Sequence, residues 1–300
     1  MAILRLLSVA AMLDAFGTIL LGSWTRINGA GMSCPQWPAC PLDAVSLWEW
    51  THRLFAALLV PLVIAIVVAA WKQRRAAPAT TPIAAGIVAL FVVQALLGAA
   101  TVHLSNSPMS VVLHWGTGMA FIAVLCAMAI VSGPSYAAPG RTASDDRNGD
   151  VVLIGALAGT ALLAFVTMCV GAYVSSSGAG LACVSIPGCS GNVIVYTQGQ
   201  FVQMLHRFIA GATVLVATAT IVLAWTRAAT ARVRAIATIG LALVFVQVVL
   251  GLLNVVLRLP MDLREAHAAN AALVFLAFVV AAIFAALDAR APDAAALEAR

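Results

Sequence analysis

Apolar residues in this chain fall into eight runs of about 20, each long enough to cross a hydrocarbon core of about 30 Å. They lie near residues 6–25, 50–71, 83–102, 111–132, 151–174, 201–225, 235–257 and 264–287. None alternates polar and apolar as a barrel strand would, and a lone segment in lipid must satisfy its own backbone groups, so each reads as a helix. The chain is therefore expected to be an all-α polytopic membrane protein with eight transmembrane helices. Composition agrees: 63% of the 300 residues are hydrophobic and 9% charged, against roughly a quarter charged in soluble domains. The first run follows Arg5 in the manner of a signal peptide, but its downstream flank, Gly22 to Cys40, has a counterpart after an internal run, so it reads as a retained span. Of the 16 Lys and Arg residues, 11 lie at the termini or between even and odd helices, and 5 in the opposite connections. The excess places both termini on the cytoplasmic side of a bacterial-type plasma membrane. The net charge of +5 is accounted for by these loops facing an anionic lipid leaflet, and no nucleic-acid partner is inferred from it.

Two halves share one pattern. LGSWTRINGAGMSCPQWPAC at 21–40 aligns without gaps on VGAYVSSSGAGLACVSIPGC at 170–189, and THR at 51–53 matches LHR at 205–207. Further on, Gln94, Leu97, Gly98 and His114 correspond to Gln247, Leu250, Gly251 and His267. Four helices per repeat keep the copies in the same orientation, as two repeated four-helix bundles would be. The expected organisation is an N-terminal half at 1–132, a polar cytoplasmic linker at 133–150, a C-terminal half at 151–290 and a cytoplasmic tail at 291–300.

Four of the five histidines, His52, His114, His206 and His267, fall in the opening turns of helices two, four, six and eight. All four of these helices start at the outer face, so the imidazoles share a depth, paired within each half. Two imidazoles facing each other from separate helices are what a heme gripped from both sides requires. An interfacial histidine can instead be solvated or bonded to a carbonyl; four at repeat-related positions favour heme ligation, because ionisable groups at membrane depth are costly. His103 pairs with Val256 and reads as a residue at the loop edge.

Glu49 stands three residues before His52, where the second half has Gln203 before His206. A carboxylate beside a heme can take a proton or balance positive charge, which an amide cannot; the alternative is a Glu paired with Arg53 or Arg26. Cys34 and Cys40 in the first outer loop, and Cys183 and Cys189 in the third, enclose five residues each. In an oxidising compartment disulfides are the default, as loop staples or as bridges exchanging with a partner thiol. A zinc site would need further ligands in these loops. Arg53 and Arg207 each follow a candidate ligand and could meet heme propionates or snorkel to lipid headgroups. Cys126 and Cys169 read as buried small residues, and Asp14 is an intramembrane acid without a counterpart.

A GAG-x2-CP-x-WP-x-C loop, an E-x-x-H-R start to helix two and a duplicated eight-helix plan with four such histidines resemble the heme A synthase family. The resemblance covers almost the whole chain; it departs from the common pattern at SWTRINGAG and at His103. It implies successive hydroxylation of the C8 methyl of heme O to a formyl group, giving heme A. It further implies a heme b cofactor held by His206 and His267, with His52 and His114 flanking heme O and Glu49 close to the reacting edge. Cys34 and Cys40 match the family's functionally sensitive bridge. Implied partners are heme O as substrate, a farnesyltransferase-type heme O synthase as neighbour, membrane lipid, and an electron acceptor or donor of open identity; a homo-oligomer is left open. The rival class is a diheme b-type cytochrome carrying electrons from quinol, which needs the four histidines but no Glu49 asymmetry. A repeat-built transporter would place its polar site at the midplane rather than at helix ends.

Overall fold

The computed structural model describes residues 1–34, 43, 46–133, 147–189, 191, 193–227 and 229–289. It contains eight long apolar helices: α1 (Ala2–Ile27), α2 (Leu47–Gln73), α3 (Thr80–His103), α4 (Pro108–Val131), α5 (Arg147–Ser176), α6 (Gln198–Thr226), α7 (Ala231–Val256) and α8 (Met261–Asp288). Among the described residues the only other helical element is a single 3-10 turn at Ala179–Leu181.

Each helix begins three or four residues before its apolar run, because a first turn can hold caps, prolines and charges that the run excludes. Pro108 opens α4, where its missing N–H costs nothing. The Thr197 hydroxyl caps α6 by accepting from Gln200 N–H. The four histidines consequently stand in the second or third turn rather than the opening one. α5 likewise reaches back to Arg147, so the last four residues of the expected linker are helical. Its preceding part, 134–146, and the tail from 290 lie outside the described residues.

Within the first half α1 packs on α2, α2 on α3, α3 on α4 and α4 back on α1; α5 to α8 repeat the cycle. The halves meet where α4 packs on α5 and α8, and α1 on α8. Burial follows this plan. Met119, Ile122, Leu125 and Met128 of α4 are fully enclosed, as are Leu4 of α1, Leu157 of α5 and Phe278 of α8. Leu58, Ile64, Leu96, Leu215, Val222 and Phe245 on the outer helices face outward, as lipid-facing side chains do. At the cytoplasmic end Asp288 pairs with Arg232 and accepts from the Thr230 hydroxyl at 2.7 Å, tying α8 to the start of α7. Asp14 has one carboxylate oxygen buried without a partner, and nothing in its surroundings explains it.

The glycines of the repeated GAG triplet have a structural cause. Gly29 and Gly178 take left-handed backbone with φ of +73° and +72°, which turns the chain out of α1 and α5. Gly31 and Gly180 lie beneath the α3–α4 and α7–α8 hairpins: a Cβ would meet Asn106 Nδ2 at 3.0 Å and Leu259 Cδ1 at 2.9 Å. Those hairpins match each other, with Ser105, Asn106, Arg258 and Leu259 all at positive φ. Cys183 and Cys189 form a disulfide that closes the third outer loop. Cys34 is also disulfide-bonded and fully buried, while Cys40 lies outside the described residues. Cys126 and Cys169 are free thiols within helices. Cys169 is only partly buried, unlike Cys126. Peptide mapping without reduction should recover Cys183 joined to Cys189, with Cys126 alkylated only after unfolding. A free Cys183 in protein from oxidising cells would contradict the loop as described.

Candidate functional site

Each of the four histidines sits against a glycine of the helix that precedes it. A Cβ on Gly22 would stand 2.9 Å from His52 Cε1, and one on Gly171 the same distance from His206 Cε1. On Gly98 it would meet His114 Cε1 at 3.1 Å, and on Gly251 His267 Cε1 at 3.2 Å. Real side chains do not tolerate the shorter of these approaches, so glycine is what lets an imidazole lie flush on the neighbouring helix. The Cε1 corner faces the glycine and leaves Nε2 toward the interior. His52 Nδ1 donates to the carbonyl of Thr18 at 2.9 Å, which fixes the ring's tautomer and puts a lone pair on Nε2. The carbonyls of Thr167 and Gln94 stand beside Nδ1 of His206 and His114 without closing to hydrogen-bond geometry, and Nδ1 of His267 is also buried without a partner.

All four rings line one cavity of about 1710 Å³ that runs through both halves. That exceeds the roughly 300–1,000 Å³ typical of a pocket for one drug-sized ligand. Its walls are largely apolar, with Phe91, Trp115 and Phe121 in the first half and Phe208, Val244 and Val274 in the second. Neutral imidazoles aimed from two helices into an apolar slot fit the axial ligation of a heme iron, and the glycine seats hold them there. Among the described residues no three His, Cys, Asp or Glu side chains gather as a metal cluster of their own.

Glu49 is 5% exposed and Gln203 4%, and each ties its outer loop to its helix. One Glu49 oxygen accepts from Cys34 N–H at 2.9 Å and from the Ser33 hydroxyl at 3.1 Å; the other pairs with Arg53 at 2.6 Å. Gln203 takes the matching position, its Oε1 accepting from Cys183 N–H at 2.5 Å and its Nε2 donating to Gly180 O at 2.8 Å. The two arginines are also engaged with the loops. Arg53 donates to Cys34 O at 2.9 Å, and Arg207 to the carbonyls of Cys183, Ser185, Pro187 and Gly188 at 2.7–3.2 Å. Both also line the cavity. His103 ends α3, exposed and away from the other four histidines.

Several residues of the site carry no obvious sequence signal. Arg26 of α1 and Arg264 of α8 line the cavity where the halves meet, and Arg26 donates to the Ser175 hydroxyl at 3.1 Å across that seam. Arg26 and Ser175 are repeat-equivalent, which the ungapped alignment of 21–40 on 170–189 could have flagged. Glu265, two residues before His267, has both carboxylate oxygens buried and without a hydrogen-bond partner. Gln94 and Gln247 were visible as repeat matches, but their roles appear only in three dimensions.

The family model described as cytochrome oxidase assembly protein matches residues 41–279. Among similar curated proteins are three named heme A synthase. That of Shouchella clausii is 30% identical over 220 residues, covering 69% of this chain and 71% of the relative. That of Bacillus licheniformis is 29% identical over 261 residues, covering 82% and 84%. That of Shewanella oneidensis is 26% identical over 310 residues, covering 87% and 90%.

The glycine seats generate a stability test. Gly171→Ala should cost about 1–3 kcal/mol by overpacking against His206. Gly155→Ala on the same helix, where a Cβ meets nothing within 4 Å, should be neutral or gain up to about 1 kcal/mol from helix propensity. Thermal unfolding in detergent compares them, and equal midpoints for the two variants would refute the seat.

Proposed function

Because the chain belongs to the cytochrome oxidase assembly protein family, whose named relatives are heme A synthases, we propose that it oxidises the C8 methyl of heme O through successive hydroxylations to the formyl group of heme A. It is an oxidoreductase of heme A synthesis embedded in a membrane by eight helices. The observation that carries the site assignment is the set of four glycine-seated histidines facing one cavity in repeat-related pairs.

In this reading the C-terminal half, 151–290, is the cofactor half, where His206 and His267 would hold a heme b. A heme b there supplies one-electron transfer beside the substrate. The N-terminal half, 1–132, receives heme O between His52 and His114. The Thr18 carbonyl holds His52 in the tautomer that offers Nε2 to the substrate iron. Glu49 acts at the reacting edge, taking a proton from an attacking water or balancing developing positive charge. Arg53, the Ser33 hydroxyl and the Cys34 N–H fix the direction of that carboxylate, and only the oxygen paired with Arg53 keeps a lone-pair site for a further donor. Arg53 and Arg207, which line the cavity, are the residues that would meet propionates. Cys34 would bridge to Cys40 in the first outer loop, the counterpart of the Cys183–Cys189 bridge in the third. Both termini and the linker face the cytoplasm of a bacterial-type plasma membrane, heme O synthase delivers the substrate, and an external electron acceptor completes the cycle.

Two expected outcomes follow from the assignment. His206→Leu or His267→Leu should remove the low-spin heme b spectrum while the protein still inserts; a normal spectrum in both would refute the pair. Glu49→Gln should lower heme A formation by about 100-fold or more, the usual scale for losing a general base. Its fold should survive, since Gln203 already demonstrates an amide tethering the equivalent loop. Chromatography of extracted hemes reads the product, and an undiminished heme A yield would remove Glu49 from the mechanism.

A further inference from the structure

The two halves differ one turn below the histidines. In the second half each end of the Gln247 amide has a protein partner: Nε2 donates to His267 O at 3.0 Å and Oε1 accepts from Asn270 Nδ2 at 2.8 Å. Asn270 Nδ2 also donates to Leu243 O at 2.9 Å, so the amide pair is locked. In the first half Gln94 occupies the equivalent position, but the counterpart of Asn270 is Thr117 and the counterpart of Ala271 is Gly118. Gln94 Oε1 is left buried with no partner. Its Nε2 lies in the space that Gly118 leaves open, 3.0 Å from where a Cβ would be. The side chain lines the cavity. A primary amide in the cavity wall, without the locking partner that Asn270 supplies in the second half, is a candidate recognition group, because an unpaired buried amide oxygen costs free energy that a bound hydrogen-bonding group returns.

We infer that Gln94 is a specificity residue that hydrogen-bonds the hydroxyl on the hydroxyethylfarnesyl substituent of heme O. The inference rests on the assignment of the N-terminal half as the substrate half. Depth selects this hydroxyl. Gln94 lies four residues, about 6 Å, further from the outer face than Gly98, the seat of His114. The cavity's arginines, Arg26, Arg53, Arg207 and Arg264, lie at the outer ends of their helices and draw the anionic propionates there. The porphyrin edge opposite the propionates, which bears the farnesylated substituent, then points down to the level of Gln94. A hydroxyl both donates and accepts, so it can satisfy either end of the amide. Heme b carries a vinyl group at that position and can make no such bond. The second half, which must hold heme b, silences its own glutamine with Asn270.

The test uses full-length protein in detergent with the second half loaded with heme b, titrated separately with heme O and with heme b and followed by absorbance. Gln94→Leu removes the amide, and Thr117→Asn leaves it in place while restoring the locking partner of the second half. Both variants should weaken heme O binding at the first site roughly tenfold, the scale of one hydrogen bond. Both should leave heme b binding at that site and the heme b content of the second half unchanged. Should Gln94→Leu fail to fold, Thr117→Asn carries the comparison alone. Equal weakening for both hemes, or none for either, overturns the role of Gln94 while leaving the substrate half standing. Heme O binding that is absent from the unaltered protein, or indifferent to His52→Ala, overturns the substrate assignment and this inference with it.

Discussion

An imidazole at membrane depth has no water to hold it, and so its direction has to come from the packing of the helix beside it. Here the partner is a glycine every time, on α1, α3, α5 and α7, facing a histidine on the next helix. Much of the architecture is arranged around those four contacts. They set how closely consecutive helices approach and bring the odd and even helices of each half together around one cavity. They leave Nε2 of each ring as the nitrogen on the cavity side. The first cysteine of each outer loop is held by Glu49 or Gln203 and by the arginine four residues further on. Loss of a seat would therefore disturb a ligand first and the fold second.

Symmetry makes the differences between the halves informative. Where the second half has the hydroxyl pairs Thr160–Thr220 and Thr167–Thr213, each at 2.8 Å between α5 and α6, the first half has Ala11 opposite Ile66 and Thr18 opposite Leu59. Interhelical hydrogen bonds of this kind contribute about 0.6 kcal/mol each on average in membranes. These two contacts between α5 and α6 have no counterpart between α1 and α2, while the N-terminal half carries the carboxylate and the unlocked glutamine. Under the proposed assignment, duplication would supply the ligand geometry twice and a few substitutions would divide the labour.

Helix number, order and membrane character were legible because lipid tolerates so few backbone solutions that an apolar run of sufficient length is almost a structural statement. The histidines and the repeat were legible because each is identical or nearly so in both copies. Helix starts lie three or four residues outside the apolar runs, since hydropathy marks the lipid-like stretch and is blind to caps. Gly22, Gly98, Gly171 and Gly251 all stood in the repeat alignment, yet their function depends on a ring from another helix that no local pattern reveals. The same is true of the seam between the halves. Arg26, Arg264 and Glu265 look like outer-surface charges in one dimension and lie against the cavity or buried near it in three.

The proposed division into a cofactor site and a substrate site makes a stoichiometric demand. Hemes extracted from the purified unaltered protein, expressed with and without a supply of heme O, should show one heme b per chain in both cases, with hydroxylated heme O and heme A only when heme O is supplied. Two heme b per chain under both conditions, with no oxidised product, would contradict the account and leave a diheme electron carrier in its place.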